Sequence, residues 1–559
     1  MKAHEAIVEM FVNEDVDTIF SLTSEEIIPI LSEAEDKWGN ELRVVNCRHE
    51  QGAAAMADGY SRADDGIGVC IVGRGPAIAQ TGTALQGANN HGSNVLYLVP
   101  ETRLTATHDG KGFEQETFLR SMAGEVESVR SSDVLLSSLA DVFRRIRAGD
   151  GPIAVQVPID VLESNLSETS ILEDYTTPGS GRQDARIHPD ETKLEEALDA
   201  YLDSDATKAP IIIAGRGAMR SDAKEEIEQL AERMNAYLVT TLQANGYFSD
   251  HPYSLGFAGD LGTRIANKYL SETGFVFALG CSLNHHTVDK GHLLSEEANI
   301  VHVDIDPTHI GRYTDVNVGI VGDVRTTTEA FREELKSFGI DRSGEFWTDR
   351  VRRRIEDSSP MPDRSFEDQP GTVDPRDLIE ALDDTLPDGR LVYSDVGHFC
   401  GWVFDGLTID PTDRLTWLVD FLALGQGLPV GIGAALAEDD RTCVVFCGDG
   451  GLMMSLPELD TAVRHDVPMI VVVINDDALG AEYHMGKKRG YSGSVGKIRA
   501  PDFEALATDM GAEAHTVRSV DDVEAIEAEL TPELSGPVIV DCRVNPEARH
   551  RTMGEMSID

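Results

Sequence analysis

Short apolar runs alternate with amphipathic stretches along almost the whole chain. In its first part, the runs at 69–72, 95–99 and 153–157 have the length and β-branched content of strands, and residues 50–62 between them follow a helical pattern. Short apolar runs bounded by turns suit strands buried on both faces, which occur in parallel sheets covered by helices. Polar sequence with Pro, Gly and Ser at 166–190 marks a linker. A second unit opens at Pro210-Ile211-Ile212-Ile213-Ala214, continues through runs at 275–280 and 300–305, and closes near Glu334. A charged stretch at 341–374, containing Ser358-Ser359-Pro360-Met361-Pro362, marks a second linker. The third unit has strand-like runs at 391–394, 442–447, 469–474 and 538–540. The units share no fixed-period repeat, which excludes a solenoid. The expectation is an α/β chain of three doubly wound parallel-sheet domains at residues 1–165, 190–335 and 375–545.

Composition agrees and adds one unusual property. The chain has 559 residues, too many for one core, and 41% of them are hydrophobic, enough for several. Lys and Arg total 48 against 98 Asp and Glu, a formal net charge of −50. That field repels nucleic acid and anionic membrane, so neither is expected as a partner. The acids are spread along polar faces, as in Glu225-Glu226-Ile227-Glu228 and Asp521-Asp522-Val523-Glu524, and do not form a tail. A surface that stays hydrated while salt screens its self-repulsion explains this, so a halophilic source is expected. The seven cysteines form no CxxC and several sit in apolar runs, reading as buried free thiols of a reducing compartment. Met1-Lys2-Ala3-His4-Glu5 lacks the layout of a signal peptide, and no apolar stretch approaches bilayer length. A soluble cytoplasmic protein is expected.

The strongest chemical signal is Val444-Val445-Phe446-Cys447-Gly448-Asp449-Gly450-Gly451, then a helical stretch at 456–464, then a strand delivering Ile474-Asn475-Asp476-Asp477-Ala478. A strand that ends in a glycine-rich turn at a helix start presents N–H groups to an anion, and a diphosphate suits it. Asp449 in that turn offers the hard oxygen that Mg²⁺ prefers, and the end of the next strand offers a second. Gly-Asp-Gly alone is a plain turn with a capping Asp; the pairing of the two stretches changes that.

Together they resemble the cofactor motif of thiamine-diphosphate enzymes, Gly-Asp-Gly followed after a helix and a strand by Asn-Asn. The resemblance implies that Gly448, Asp449, Gly450 and Gly451 bind the diphosphate, and that Asp449, Asp476 and the Ala478 carbonyl hold Mg²⁺. Asp476 stands where the family has its second Asn, and a carboxylate is an even harder ligand. A second match runs from Arg48-His49-Glu50-Gln51-Gly52 to Asp58-Gly59-Tyr60. In the family this region carries the glutamate that bonds the aminopyrimidine and so activates the cofactor, which implies that role for Glu50. The third match, Leu424-Gly425-Gln426-Gly427-Leu428-Pro429, puts Leu424 where a bulky apolar residue bends the cofactor. The implied order is a pyrimidine-binding, a central and a diphosphate-binding domain. Val303-Asp304-Ile305-Asp306-Pro307 and Gly322-Asp323-Val324 resemble the central domain of acetolactate-synthase-type enzymes. In that family the site lies between Glu50's domain and Asp449's domain of a second chain, which implies a homodimer or homotetramer.

The implied reaction is decarboxylation of a small 2-oxo acid with transfer of the acyl carbanion to a second carbonyl. Some substrate-facing residues depart from it. His286 stands where acetolactate synthases have the Arg that receives the second carboxylate, Met485 where they have a Trp, and Arg74-Gly75-Pro76-Ala77 replaces Ser-Gly-Pro-Gly. A His cannot reproduce a guanidinium fork, which argues against acetolactate as the product and against the FAD those enzymes carry. The alternative is a simple decarboxylase releasing an aldehyde, for which Glu25, His108 and Glu482 match the proton-handling residues of that branch. Tyr483 and His484 are further candidates for lining the pocket. A non-catalytic cofactor-binding homologue is the third reading, and the presence of Glu50 argues against it.

Overall fold

The computed structural model describes residues 1–552 apart from 65, 167, 168, 170, 171, 173–185, 359–365, 367, 368 and 439. Its described residues form three six-stranded sheets, all paired in parallel, with helices on their faces as the hydrophobic pattern predicts. The first holds β1 (Thr18–Leu22), β2 (Arg43–Asn46), β3 (Gly68–Val72), β4 (Val95–Glu101), β5 (Glu125–Ser128) and β6 (Ile153–Pro158) in the order β2-β1-β3-β4-β6-β5. The third holds β13 (Leu391–Ser394), β14 (Arg414–Trp417), β15 (Cys443–Gly448), β16 (Met469–Asn475), β17 (Glu513–Val517) and β18 (Pro537–Arg543). Its order, β14-β13-β15-β16-β18-β17, repeats that of the first sheet. The runs that flag strands in the sequence are the central ones: all of β3 and all of β16 are buried, each side chain contributing about 1.5–3 kcal/mol.

The middle sheet is wound differently. Its strands β7 (Ile211–Ala214), β8 (Tyr237–Thr240), β9 (Ser254–Phe257), β10 (Phe275–Leu279), β11 (Asn299–Asp304) and β12 (Val318–Val321) lie in the order β12-β11-β10-β7-β8-β9, that of a dinucleotide-binding sheet. The stretch expected as a second linker does more than connect. It carries a helix, Asp349–Glu356, preceded by Trp347, which donates to the Ala236 carbonyl at 3.0 Å and stacks on Tyr253 at 4.6 Å.

Two features bind the sheets into one body. The Glu50–Asp64 helix of the first domain packs on the Gly427–Ala437 helix of the third, and one apolar core runs through both. Their backbones touch: a Cβ at Gly59 would lie 1.9 Å from the Val430 carbonyl oxygen, and one at Gly433 1.9 Å from that of Met56. At the meeting point of all three domains, buried Arg62 bonds Asp58 and Asp420 at 2.8 Å each. Arg216 reaches the His91 carbonyl there at 3.0 Å. All seven cysteines are buried and free. No helix among the described residues is long and apolar enough to cross a membrane.

Candidate active site

The carboxyl ends of β15 and β16 lie side by side, with Gly448 in register with Ile474. Asp449 opens the Asp449–Ser455 helix, and Asp476 follows β16 directly, so the pairing brings the two carboxylates together. Asp449 is buried, and its Oδ2 has no hydrogen-bond partner. Burial, then the charge of Asp476, push its carboxyl up to about 8. Burial likewise pushes Asp476 up to about 7, against the Ala478 N–H that it accepts at 3.0 Å. Two desolvated carboxylates, the charge of Asp476 raising Asp449, with an orphaned oxygen between strand ends, are an oxygen-donor set that lacks only positive charge. Mg²⁺ fits that set. The glycines at this helix start let a third carboxylate come close: a Cβ at Gly451 would lie 2.9 Å from the Oδ2 of Asp395.

Asp395 is a site residue that motif reading misses. It follows β13, is buried, and accepts the N–H groups of Val396 and Gly425 at 2.8 Å each. Burial pushes it up to about 6, opposed by those amides and by the amides of Gln426 and Gly427. It thereby fixes the loop that carries half-buried Leu424. Buried His398, three residues on, is a second omission; burial, then His484, push its pKa well down. A Cβ at Gly480 would lie 2.5 Å from Asp476 Oδ2 and 3.3 Å from His398 Nδ1, so His398 borders the carboxylate site. The signal was available: Ser394-Asp395-Val396-Gly397 repeats the strand-Asp-glycine grammar of the Asp449 turn.

Glu50 stands at the carboxyl edge of the first sheet, half-buried, as the first residue of its helix. Its charge helps burial to push the Cys70 thiol up. Glu458 of the third domain reaches this helix start and accepts the Arg48 N–H at 3.2 Å. No hydrogen bond or ion pair joins Glu50 to Asp449 or Asp476 within the chain among the described residues. The other candidates distribute unevenly. Glu25 is exposed, while its half-buried neighbour Glu26 pairs with Lys111 at 2.6 Å and Arg74 at 3.3 Å. His108 is exposed, while Asp109 accepts from Arg74 and Thr102; the Arg74 bond is the first cause holding its carboxyl well below the usual range. Arg74 and Lys111, with Gln115 and Arg130, line part of a polar cavity of about 210 Å³ at the ends of β3 and β4. Glu482 is exposed; Tyr483 and His484 on the same helix are buried, and burial, then the Lys487 charge, bring His484 down to about 4.

In the central domain His286 bonds Asp260 at 3.0 Å, so this imidazole already has an anion. Where β7 and β10 cross over, the Gly215 and Gly217 amides are spent on the Leu279 and Gly280 carbonyls, both at 2.9 Å. A dinucleotide's phosphates would take such amides, so the crossover does not fit FAD.

Comparison with known proteins accounts for all three units in order. Models of thiamine pyrophosphate enzymes match at residues 1–122 (N-terminal TPP binding domain), 205–331 (central domain) and 395–542 (C-terminal TPP binding domain), together well over half of the chain. A probable acetolactate synthase large subunit from Methanocaldococcus jannaschii is 28% identical, covering 98% of this chain and 92% of its own length. An acetolactate synthase from Arthrospira platensis is 29% identical over 96% of this chain and 93% of its own. A sulfoacetaldehyde acetyltransferase from Alcaligenes xylosoxydans xylosoxydans is 28% identical over 94% and 89%. With the strand-end carboxylates, the glycine turn and the Glu50 helix in place, the chain belongs to the thiamine pyrophosphate-dependent enzymes.

Proposed function

We propose that this enzyme decarboxylates a small 2-oxo acid and transfers the acyl unit to a second carbonyl compound, as an acetolactate synthase-like carboligase. The observation that carries the proposal is the pair of desolvated carboxylates of Asp449 and Asp476, an oxygen-donor set short of a divalent cation beside a glycine-rich turn. Asp449, Asp476 and the Ala478 carbonyl would hold Mg²⁺, with Gly448, Gly450 and Gly451 against the diphosphate. Leu424, on the loop fixed by Asp395, would pack against the cofactor's bend. When bound, thiamine diphosphate supplies a nucleophilic carbon and an electron sink. Glu50 holds and returns the proton that makes the cofactor reactive. The family resemblance, in which this glutamate serves the metal site of a second chain, supports a site drawn from two chains, in a homodimer or homotetramer. The −50 charge supports work in a very salty cytoplasm.

The His286–Asp260 pair favours a second reading. An imidazole already bonded to an anion is a poor receiver for the carboxylate of a second 2-oxo acid, which leaves protonation and release of an aldehyde. On that reading Glu25, His108 and Glu482 supply protons from surfaces that the second chain covers. The two separate on product identification. Apo-protein in high salt is given thiamine diphosphate, Mg²⁺ and a panel of 2-oxo acids, and products are read by NMR. Acetolactate or another acyloin supports carboligation, and aldehyde alone supports simple decarboxylation. No CO₂ from any acid would leave a cofactor-binding protein.

A further inference from the structure

The last described stretch of the chain, 545–552, does not trail into solvent. It crosses the back of the candidate site and is tied to three elements. Glu547 accepts from Tyr483 at 2.5 Å and Lys487 at 2.6 Å, on the helix that follows the metal loop. Arg551 bonds Asp405 at 3.0 Å and the Gly262 carbonyl of the central domain at 3.0 Å. Fully buried His550 bonds Asp405 through Nε2 at 2.8 Å and lies edge-on to Trp402 at 4.7 Å. Room for that ring exists only because residue 401 is glycine: a Cβ there would lie 2.2 Å from His550 Nδ1.

The contact with a chemical consequence is a single backbone amide. The His550 N–H donates to His398 Nε2 at 2.9 Å. An amide N–H can only donate, so Nε2 is the bare nitrogen and the ring proton of neutral His398 sits on Nδ1. That nitrogen faces the space shared by Gly480 and Asp476 Oδ2. His484 packs against the ring, tilted by 51° with centroids 4.6 Å apart.

We propose that segment 545–552 is a strap whose His550 amide fixes His398 as the Nδ1–H tautomer, making it a hydrogen-bond donor to the anionic oxygens held at the Gly480–Asp476 corner. This rests on the cofactor assignment above, with the diphosphate as the anion. His550 is then a positioning residue that acts through His398, and Asp405 and Arg551 secure it.

The test is the affinity of full-length apo-protein for thiamine diphosphate with Mg²⁺, read from tryptophan fluorescence, since Trp402 lies against the strap. Asn carries its amide nitrogen at the place of imidazole Nδ1, and Gln at that of Nε2. His398→Asn is expected to bind within a few-fold of wild type, while His398→Gln loses about tenfold, the size of one charge-assisted hydrogen bond. His550→Pro, which lacks the N–H, is expected to lose about as much, and His550→Ala, which keeps it, less. Equal binding by His398→Asn and His398→Gln, or wild-type binding by a folded His550→Pro, overturns the proposal. If His550→Pro does not fold, the two His398 variants decide alone. Wild-type protein that binds no thiamine diphosphate would instead refute the cofactor assignment.

Discussion

Replacing Gly433 by Ala adds one methyl group at the tightest point between the first and third domains. The new Cβ would lie 1.9 Å from the Met56 carbonyl oxygen and 2.6 Å from its carbon, atoms of a helix backbone that cannot rotate aside. Reaching even 3.0 Å, below which real Cβ atoms are essentially never found, requires the two helices to part by about 1 Å. A gap of 0.5–1 Å forfeits roughly a quarter to a half of each dispersion contact along the seam. Overpacking of a filled core costs about 1–3 kcal/mol, and a backbone obstacle places this case at or above the upper figure. Gly87 is the control, because a Cβ there meets nothing within 4 Å and lies in a helix. Gly87→Ala is expected to be neutral or stabilising by about 0.5–1 kcal/mol. Urea unfolding of both variants in high salt measures the difference. Glu50 begins the displaced helix, so cofactor-dependent CO₂ release should fall with stability in Gly433→Ala. A Gly433→Ala protein as stable as Gly87→Ala would refute the shared glycine seam.

Asp449→Asn should weaken Mg²⁺ binding by at least the roughly 100-fold that even outer-shell partners cost. Asp476→Asn, which restores the Asn that the family's motif has at this ligand position, should bind within about tenfold of wild type and stabilise the apo-protein by relieving the Asp449 carboxyl; calorimetry distinguishes the two. Burial, then the Lys487 charge, hold His484 down to about 4 in the fold, so below its ordinary value of 6.5 the unfolded chain takes the proton first. Stability from this group is therefore complete above pH 6.5 and lost as pH falls towards 4, by up to about 3 kcal/mol. His484→Gln should flatten that slope, an outcome read from urea midpoints at several pH values. Asp395 and Asp449, raised in the fold, have the opposite slope in both proteins and cancel in the comparison. At low ionic strength the −50 charge should unfold the protein, and KCl should restore its circular dichroism spectrum; a salt-independent melting temperature would contradict this.

The central strands of all three sheets were legible because β3, β10 and β16 are apolar on both faces. The edges were not. β5 reads Glu-Val-Glu-Ser and β17 Glu-Ala-His-Thr-Val, with mostly exposed or half-exposed positions that resemble loop until a neighbouring strand pairs with them. Motif spacing pairs Asp449 with Asp476, since one strand–helix–strand unit determines their separation, and β15 and β16 lie side by side. It did not reveal the ion pairs of Glu26 and Asp109 with Arg74 and Lys111, which depend on how a loop turns at a strand end. The His550–His398 contact spans so much chain that no local pattern records it.

The most direct measurement of the central claim pairs wild type with Glu50→Gln, each loaded with thiamine diphosphate and Mg²⁺ in high salt. Bound cofactor and CO₂ release are read on the same samples. The prediction is that wild type releases CO₂ from at least one 2-oxo acid, and that Glu50→Gln binds the cofactor but turns over at least about 100-fold more slowly, the scale of a lost acid–base group. Full-rate CO₂ release by cofactor-bound Glu50→Gln would contradict it.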